Sequence, residues 1–229
     1  SQPILLQTAL PPDTPFQRMN YELIDPQPTE MKIDDDGNWI ATFYMPGNTA
    51  QTVKVQAQAL LTIYPNQEIP VSYPQDFHLN RQPFWEVDNK KLQEIAAENK
   101  TASEIYDYVT TSLEYETIES LDNFERKGAL RAIENPTQVA CQEFSDLFVT
   151  LARINRIPSR VVTGYAYTEN SRLRPLSLSE DILHAWPEYW NEENQVWQPI
   201  DPTWGNTTNG VDYFNQFDLN HIVLAINGE

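Results

Sequence analysis

A change of periodicity at a proline-rich stretch limits what this chain can fold into. Pro65 to Pro83 carries four prolines and few long apolar runs, and it reads as a linker or irregular segment. Ahead of it the signals are those of strands. Val53-Lys54-Val55-Gln56-Ala57-Gln58-Ala59 alternates with period two, which suits a half-buried strand. Ile33 to Tyr44 places two apolar stretches around Asp36-Gly37, a hairpin signal. Behind the prolines the period becomes helical. Asp88 to Glu98 is one candidate helix. Thr101-Ala102-Ser103-Glu104 is a capping box leading into Ile105, Tyr108, Val109 and Ser112. A looser stretch around Gly128-Ala129-Leu130 precedes a helix from Cys141 to Ile154. There Phe144, Leu147, Phe148 and Leu151 recur at i, i+3, i+4 and i+7, so that face is expected to be buried. Pro158 ends the helix, and Val161–Tyr167, His184–Trp190 and Gln195–Ile200 are expected strands. The chain thus divides into a β-rich N-terminal region, residues 1–85, and a second domain, residues 86–229.

Charge excludes several partners. The net charge is −18, with 33 acidic side chains against 15 basic ones, so nucleic acid and anionic membrane surfaces would be repelled. No apolar run approaches the roughly 18 residues needed to span a membrane. With seven glycines and no glycine-rich phosphate loop, nucleotide cofactors are not expected. Asp34, Asp36 and Asn38 match the first three ligand positions of a calcium loop. Trp39 stands where that loop needs Gly and Met45 where it needs Glu, so a plain hairpin turn is the better reading. Cys141, His184 and His221 lack the close pairing of a zinc site, so neither metal nor cofactor is expected. The chain opens without Met and stops just after an apolar run, which suggests a piece of a longer polypeptide. The charge, the prolines and the β-rich lead-in would suit an extracellular or cell-surface bacterial protein.

Cys141 is the sole cysteine, so it is either a small buried hydrophobe or a chemical group. It stands at a helix start, where unpaired N–H groups and the helix dipole stabilise a thiolate. Glu143, two residues on, opposes this. Downstream lie His184 and Asp201. If Trp190 pairs with Gln195 in an antiparallel hairpin, His184 falls directly opposite Asp201. The carboxylate can then orient the imidazole and leave its other nitrogen for the sulfur. The Cys141 amide is the natural oxyanion donor, and Gln138 is a candidate for the second. Each residue alone has an ordinary reading: a packed thiol, a core histidine, a turn acid. Together they form the set a thiol nucleophile needs.

At these residues the sequence resembles the transglutaminase-like superfamily. The resemblance rests on Ala140-Cys141-Gln142-Glu143-Phe144-Ser145-Asp146-Leu147-Phe148, with Leu151-Ala152-Arg153 and Ile157-Pro158-Ser159-Arg160-Val161-Val162-Thr163-Gly164-Tyr165 following. It continues in His184-Ala185-Trp186-Pro187-Glu188 and Trp197-Gln198-Pro199-Ile200-Asp201-Pro202-Thr203-Trp204. It implies an α+β, papain-like core in which a helix bearing the Cys packs on an antiparallel sheet. It also implies Cys141 as nucleophile, His184 as general base and acid, and Asp201 as orienter. The expected chemistry is thiol acyl transfer on protein or peptide amides through a thioester: transamidation, deamidation or proteolysis. The alternative is a non-catalytic protein-binding module with a relict site, suggested by Trp186, Trp190, Trp197 and Trp204 if those rings are exposed.

Overall fold

The computed structural model describes residues 2–47, 52–116, 125–170, 183–208 and 210–229. Two small antiparallel sheets come first. Strand β1 (Ile4–Leu10) pairs with β4 (Trp39–Met45), and β4 pairs in turn with β3 (Glu30–Ile33). The β3–β4 hairpin closes where Ile33 faces Trp39, around Gly37 at φ +95°, a conformation that favours glycine. The turn acids are used within the protein. Asp34 accepts the N–H groups of Asp36 and Asn38, and Asp36 accepts from His78 and Gly228. The second sheet pairs β2 (Gln17–Asp25) with β5 (Lys54–Leu61).

The stretch from Pro65 to Pro83 is irregular, as expected, apart from one 3-10 turn at Asp76–Leu79. It is a strap rather than a free linker. The carbonyls of Phe77 and Asn80 accept from the Arg153 guanidinium, and the Ser72 carbonyl accepts from the Trp197 indole.

Among the described residues, four helices follow: α1 (Lys90–Glu98), α2 (Ala102–Ser112), α3 (Ala129–Glu134) and α4 (Cys141–Ile154). The capping box at Thr101 and Glu104 forms in both directions. Phe144, Leu147, Phe148 and Leu151 of α4 pack in one core with Leu92, Ile105, Val109 and Ala132 from the other three helices. Complete burial of each such side chain contributes about 1.5–3 kcal/mol. The helical period marked this face but understated the burial, because Glu143 through Arg153 are buried all round. The polar residues of α4 are tolerated because each has a partner. Ser145 and Thr150 donate to carbonyls one turn back, Asp146 pairs with Arg126, and Arg153 feeds the carbonyls of Ser159 and Gly228.

Beyond α4 lies a four-stranded antiparallel sheet in the order β8-β7-β6-β9, comprising β6 (Ser159–Ala166), β7 (Leu183–Asn191), β8 (Val196–Pro199) and β9 (His221–Asn227). Helix α4 packs on β6 and β7, which gives the expected α+β, papain-like arrangement of a Cys-bearing helix on an antiparallel sheet. A short helix, α5 (Pro202–Thr207), separates β8 from β9.

Candidate active site

The β7–β8 register differs from the one predicted. Trp190 faces Trp197 and Asn191 faces Val196, so the hairpin is two residues out of the expected pairing. Gln195 sits at φ +54° in the turn, which consumes the residue that was expected to begin the strand. Strand β8 then ends at Pro199, and Asp201 is not a strand residue at all. It is the N-cap of α5. The chain turns back there and delivers the carboxylate to His184 by a different route.

Asp201 is fully buried and every acceptor position on it is filled. Its Oδ1 accepts the N–H groups of Thr203 at 2.9 Å and Trp204 at 3.0 Å, which locks the side chain to the helix it caps. Its Oδ2 accepts from His184 Nε2 at 2.8 Å and from His221 Nε2 at 3.1 Å. Burial penalises the Asp201 charge, but the two imidazoles beside it outweigh that cost and hold the carboxyl below its usual range.

His184 projects from β7 with its Nε2 committed to Asp201, which leaves Nδ1 for the thiol of Cys141, a group near enough to act on the ring. Burial works against a positive charge on this imidazole. The Asp201 carboxylate and then the sulfur overcome it and push the imidazole well above its ordinary range. Cys141 is partly exposed at the first turn of α4, packed against Trp85, Val149, Val161 and Ala185. Ala140 precedes it as an N-cap with no side-chain acceptor, so the first N–H groups of a fourteen-residue helix are uncapped at the sulfur. Glu143 does not fill that position. Its carboxylate is turned back onto the N–H groups of Ala140 and Lys127.

Gln138 lies three residues before the cysteine in the turn leading into α4, with its side chain exposed. Its N–H is given to Asn135 and its carbonyl to Lys127 Nζ.

Trp85 and Asp146 were given no role from the sequence, and His221 was weighed there only as a metal ligand. Trp85, at the end of the strap, donates its indole N–H to Asp146 at 2.8 Å and lies beneath the Arg153 guanidinium at 4.2 Å. Asp146 also takes a two-pronged contact from Arg126. Burial nevertheless pushes the Asp146 carboxyl up to about 6. For His221, its place at the opening of an otherwise apolar strand was the available signal. His184, Asp201 and His221 bring their ligating atoms within 4.8 Å of one another, a spacing a metal ion could bridge, yet each of these atoms is already engaged by a hydrogen bond across the same triangle. The tryptophans that suggested a binding surface are interior: Trp186, Trp190, Trp197 and Trp204 are all buried.

The sequence profile of the transglutaminase-like superfamily matches residues 87–202, half of the chain. A comparison with the curated proteins found no match. Among solved structures, a candidate cysteine protease from Cytophaga hutchinsonii aligns with all of this chain and 77% of its own. Its TM-score is 0.56 at 17% identity, which marks a shared fold. The periplasmic domain of TgpA from Pseudomonas aeruginosa aligns with 92% of this chain and 74% of its own, at 14% identity and a TM-score of 0.45. Red sea bream transglutaminase aligns with 88% of this chain and 46% of its own, at 14% identity and a TM-score of 0.35. The chain belongs to the transglutaminase-like superfamily.

Proposed function

We propose that this chain is a thiol acyl-transfer enzyme acting on protein or peptide amides, with Cys141 as nucleophile, His184 as general base and acid, and Asp201 as the group that orients His184. The observation that carries this reading is the position of the His184 ring, with Nε2 on the buried Asp201 carboxylate and the Cys141 thiol near enough to help raise the imidazole. That arrangement favours thiolate and imidazolium over two neutral groups.

The thiolate attacks the amide carbon, and negative charge gathers on the former carbonyl oxygen. The uncapped N–H groups at the start of α4 are suited to receive it, the Cys141 amide first. His184 gives its Nδ1 proton to the leaving amine, leaving a thioester on Cys141. An incoming amine or water then loses a proton to the same nitrogen as it attacks the thioester, and the thiolate–imidazolium pair is restored. An amine yields transamidation; water yields deamidation or peptide cleavage. The net charge of −18 would concentrate cationic acceptors such as lysine-bearing proteins and polyamines.

The test is the rate of Cys141 alkylation by iodoacetamide as a function of pH, in the native protein and in His184→Ala. Fast alkylation well below the free-thiol pKa of about 8.5, lost in the variant, is the expected result. An ordinary thiol profile in the native protein would refute the reading. Competition between lysine-bearing and acidic acceptors at low salt tests the charge argument, and equal rates would sink it.

A further inference from the structure

His221 stands outside the three residues assigned above, yet it is held as tightly as any of them. Its side chain is about 1% exposed, at the first position of β9. One ring nitrogen, Nε2, lies 3.1 Å from Asp201 Oδ2, and the other, Nδ1, lies 2.8 Å from Asp218 Oδ1. A neutral imidazole has one N–H and one lone pair, and a lone pair aimed at a carboxylate is repelled. Two carboxylate acceptors are both satisfied only by the imidazolium. The surroundings suit a cation. The ring has Phe217 at 4.5 Å, Trp204 at 4.6 Å and Trp186 at 5.0 Å between centroids, so aromatic rings pack it on several sides. Facing it are the carboxylates of Asp201 and Asp218, the His184 ring at 5.7 Å and the phenol ring of Tyr213 at 6.4 Å.

We infer that His221 is a positioning residue: a second imidazolium, clamped between Asp218 and Asp201, that fixes the Asp201 carboxylate in the orientation His184 requires. The inference rests on the Cys141–His184–Asp201 reading. The backbone N–H groups of α5 hold Oδ1 alone. Without a second donor, Oδ2 is held by His184 alone and its remaining lone pair can draw in water. With His221 in place, Oδ2 is pinned between two rings. Asp218 is the outer anchor, and it lines a solvent-facing pocket with Phe217, Glu188 and Gln198, on a side of His221 reached without passing Cys141.

The experiment compares iodoacetamide alkylation of Cys141 in the native chain, His184→Ala, His221→Ala and His221→Gln. The glutamine amide restores an N–H toward Asp201 but neither the ring contacts nor the pair with Asp218. His221→Ala is expected to slow alkylation near neutral pH by about 10-fold or more, the scale on which loss of an orienting partner acts. His221→Gln is expected to recover most of that loss. A glutamine variant as slow as the alanine variant would make the role one of packing and overturn the inference, as would an alanine variant with the native rate. Should the alanine variant fail to fold, nitrogen-15 spectra of the native protein under the alkylation conditions decide. Protons on both His221 ring nitrogens support the inference, and a proton on one overturns it. An ordinary thiol profile in the native chain, or an unchanged rate in His184→Ala, would instead strike the reading on which the inference rests.

Discussion

Replacing Asp201 by Asn separates the chemical role of this residue from its structural one. The carboxylate accepts four hydrogen bonds, two from the α5 backbone on Oδ1 and two from His184 and His221 on Oδ2. An asparagine can keep its carbonyl on the Oδ1 side and so retain the cap. Its amide nitrogen then points two N–H groups at two imidazole N–H groups. Each lost charge-assisted bond is worth about 1.5–3 kcal/mol, enough to drive His184 into its other tautomer. In that tautomer Nε2 accepts from the amide and Nδ1 carries the proton. The nitrogen facing Cys141 can then no longer take a proton from the thiol. A wrong tautomer of this kind costs on the order of 10⁴ in turnover, or about 5.5 kcal/mol. Alkylation of Cys141 near neutral pH should slow to the rate of His184→Ala. Asp201→Ala should show the same chemical defect together with about 1 kcal/mol of additional instability from the missing cap. If Asp201→Asn alkylates at the native rate with the native pH profile, the carboxylate does not set the tautomer and the argument fails.

Three further predictions follow from the same contacts. The His184 imidazole is raised in the folded state, so its contribution to stability is complete below about pH 6.5 and is lost as pH climbs through the raised value. The Asp201 carboxyl is depressed, so its contribution is complete above about pH 3.9 and is lost as pH falls toward the lowered value. Thermal melts should therefore be highest between acid and mildly alkaline pH, and His184→Ala should flatten the alkaline limb; an unchanged limb would be a contradiction. A methyl group at Gly164 would press on the Ile222 carbonyl and come 2.7 Å from Trp186 Cη2, so Gly164→Ala should cost at least the upper end of the ~1–3 kcal/mol overpacking range in urea titrations, and an unshifted midpoint would count against the packing. Removing residues 1–85 should leave a chain that does not unfold cooperatively, since it strips Gln17, Asn38 and Trp85 from their partners; a sharp two-state melt of the fragment would disprove this.

Much of the fold was legible because it follows local rules. The four α4 positions at helical spacing, the capping box at Thr101 and the Asp36-Gly37 turn are all short-range patterns, and each formed where expected. Cys141 and His184 were legible as two side chains that would come near each other. What failed was the link between them and Asp201. The predicted hairpin placed Asp201 opposite His184 by counting pairs, but a hairpin register depends on turn length, and one residue in the left-handed region at Gln195 is enough to change it. The contact survives because Asp201 caps a helix, and the tertiary fold returns that helix start to β7. The contact of His221 with Asp201 and that of Trp85 with Asp146 were missed for a different reason. The partners lie 20 and 61 residues apart in sequence, and no periodicity records such a meeting.

The N-terminal region bears on this site through the edge of the sheet. Strand β9 is an outer strand, and its free edge would otherwise present unpaired backbone groups. Two amide side chains take the place of a neighbouring strand. Gln17 gives and receives at Val223, with bonds of 3.0 and 2.8 Å, and Asn38 does the same at Ile226, with two bonds of 2.7 Å. Glutamine and asparagine can do this because the side-chain amide carries the donor and acceptor of a peptide group. The Asp36 carboxylate then accepts the Gly228 N–H, and the Asp36 carbonyl accepts from Arg160 on β6. These bonds fix β9 along its length, and β9 begins with His221. The β-rich region is thus bonded directly to the strand that carries His221 at its start.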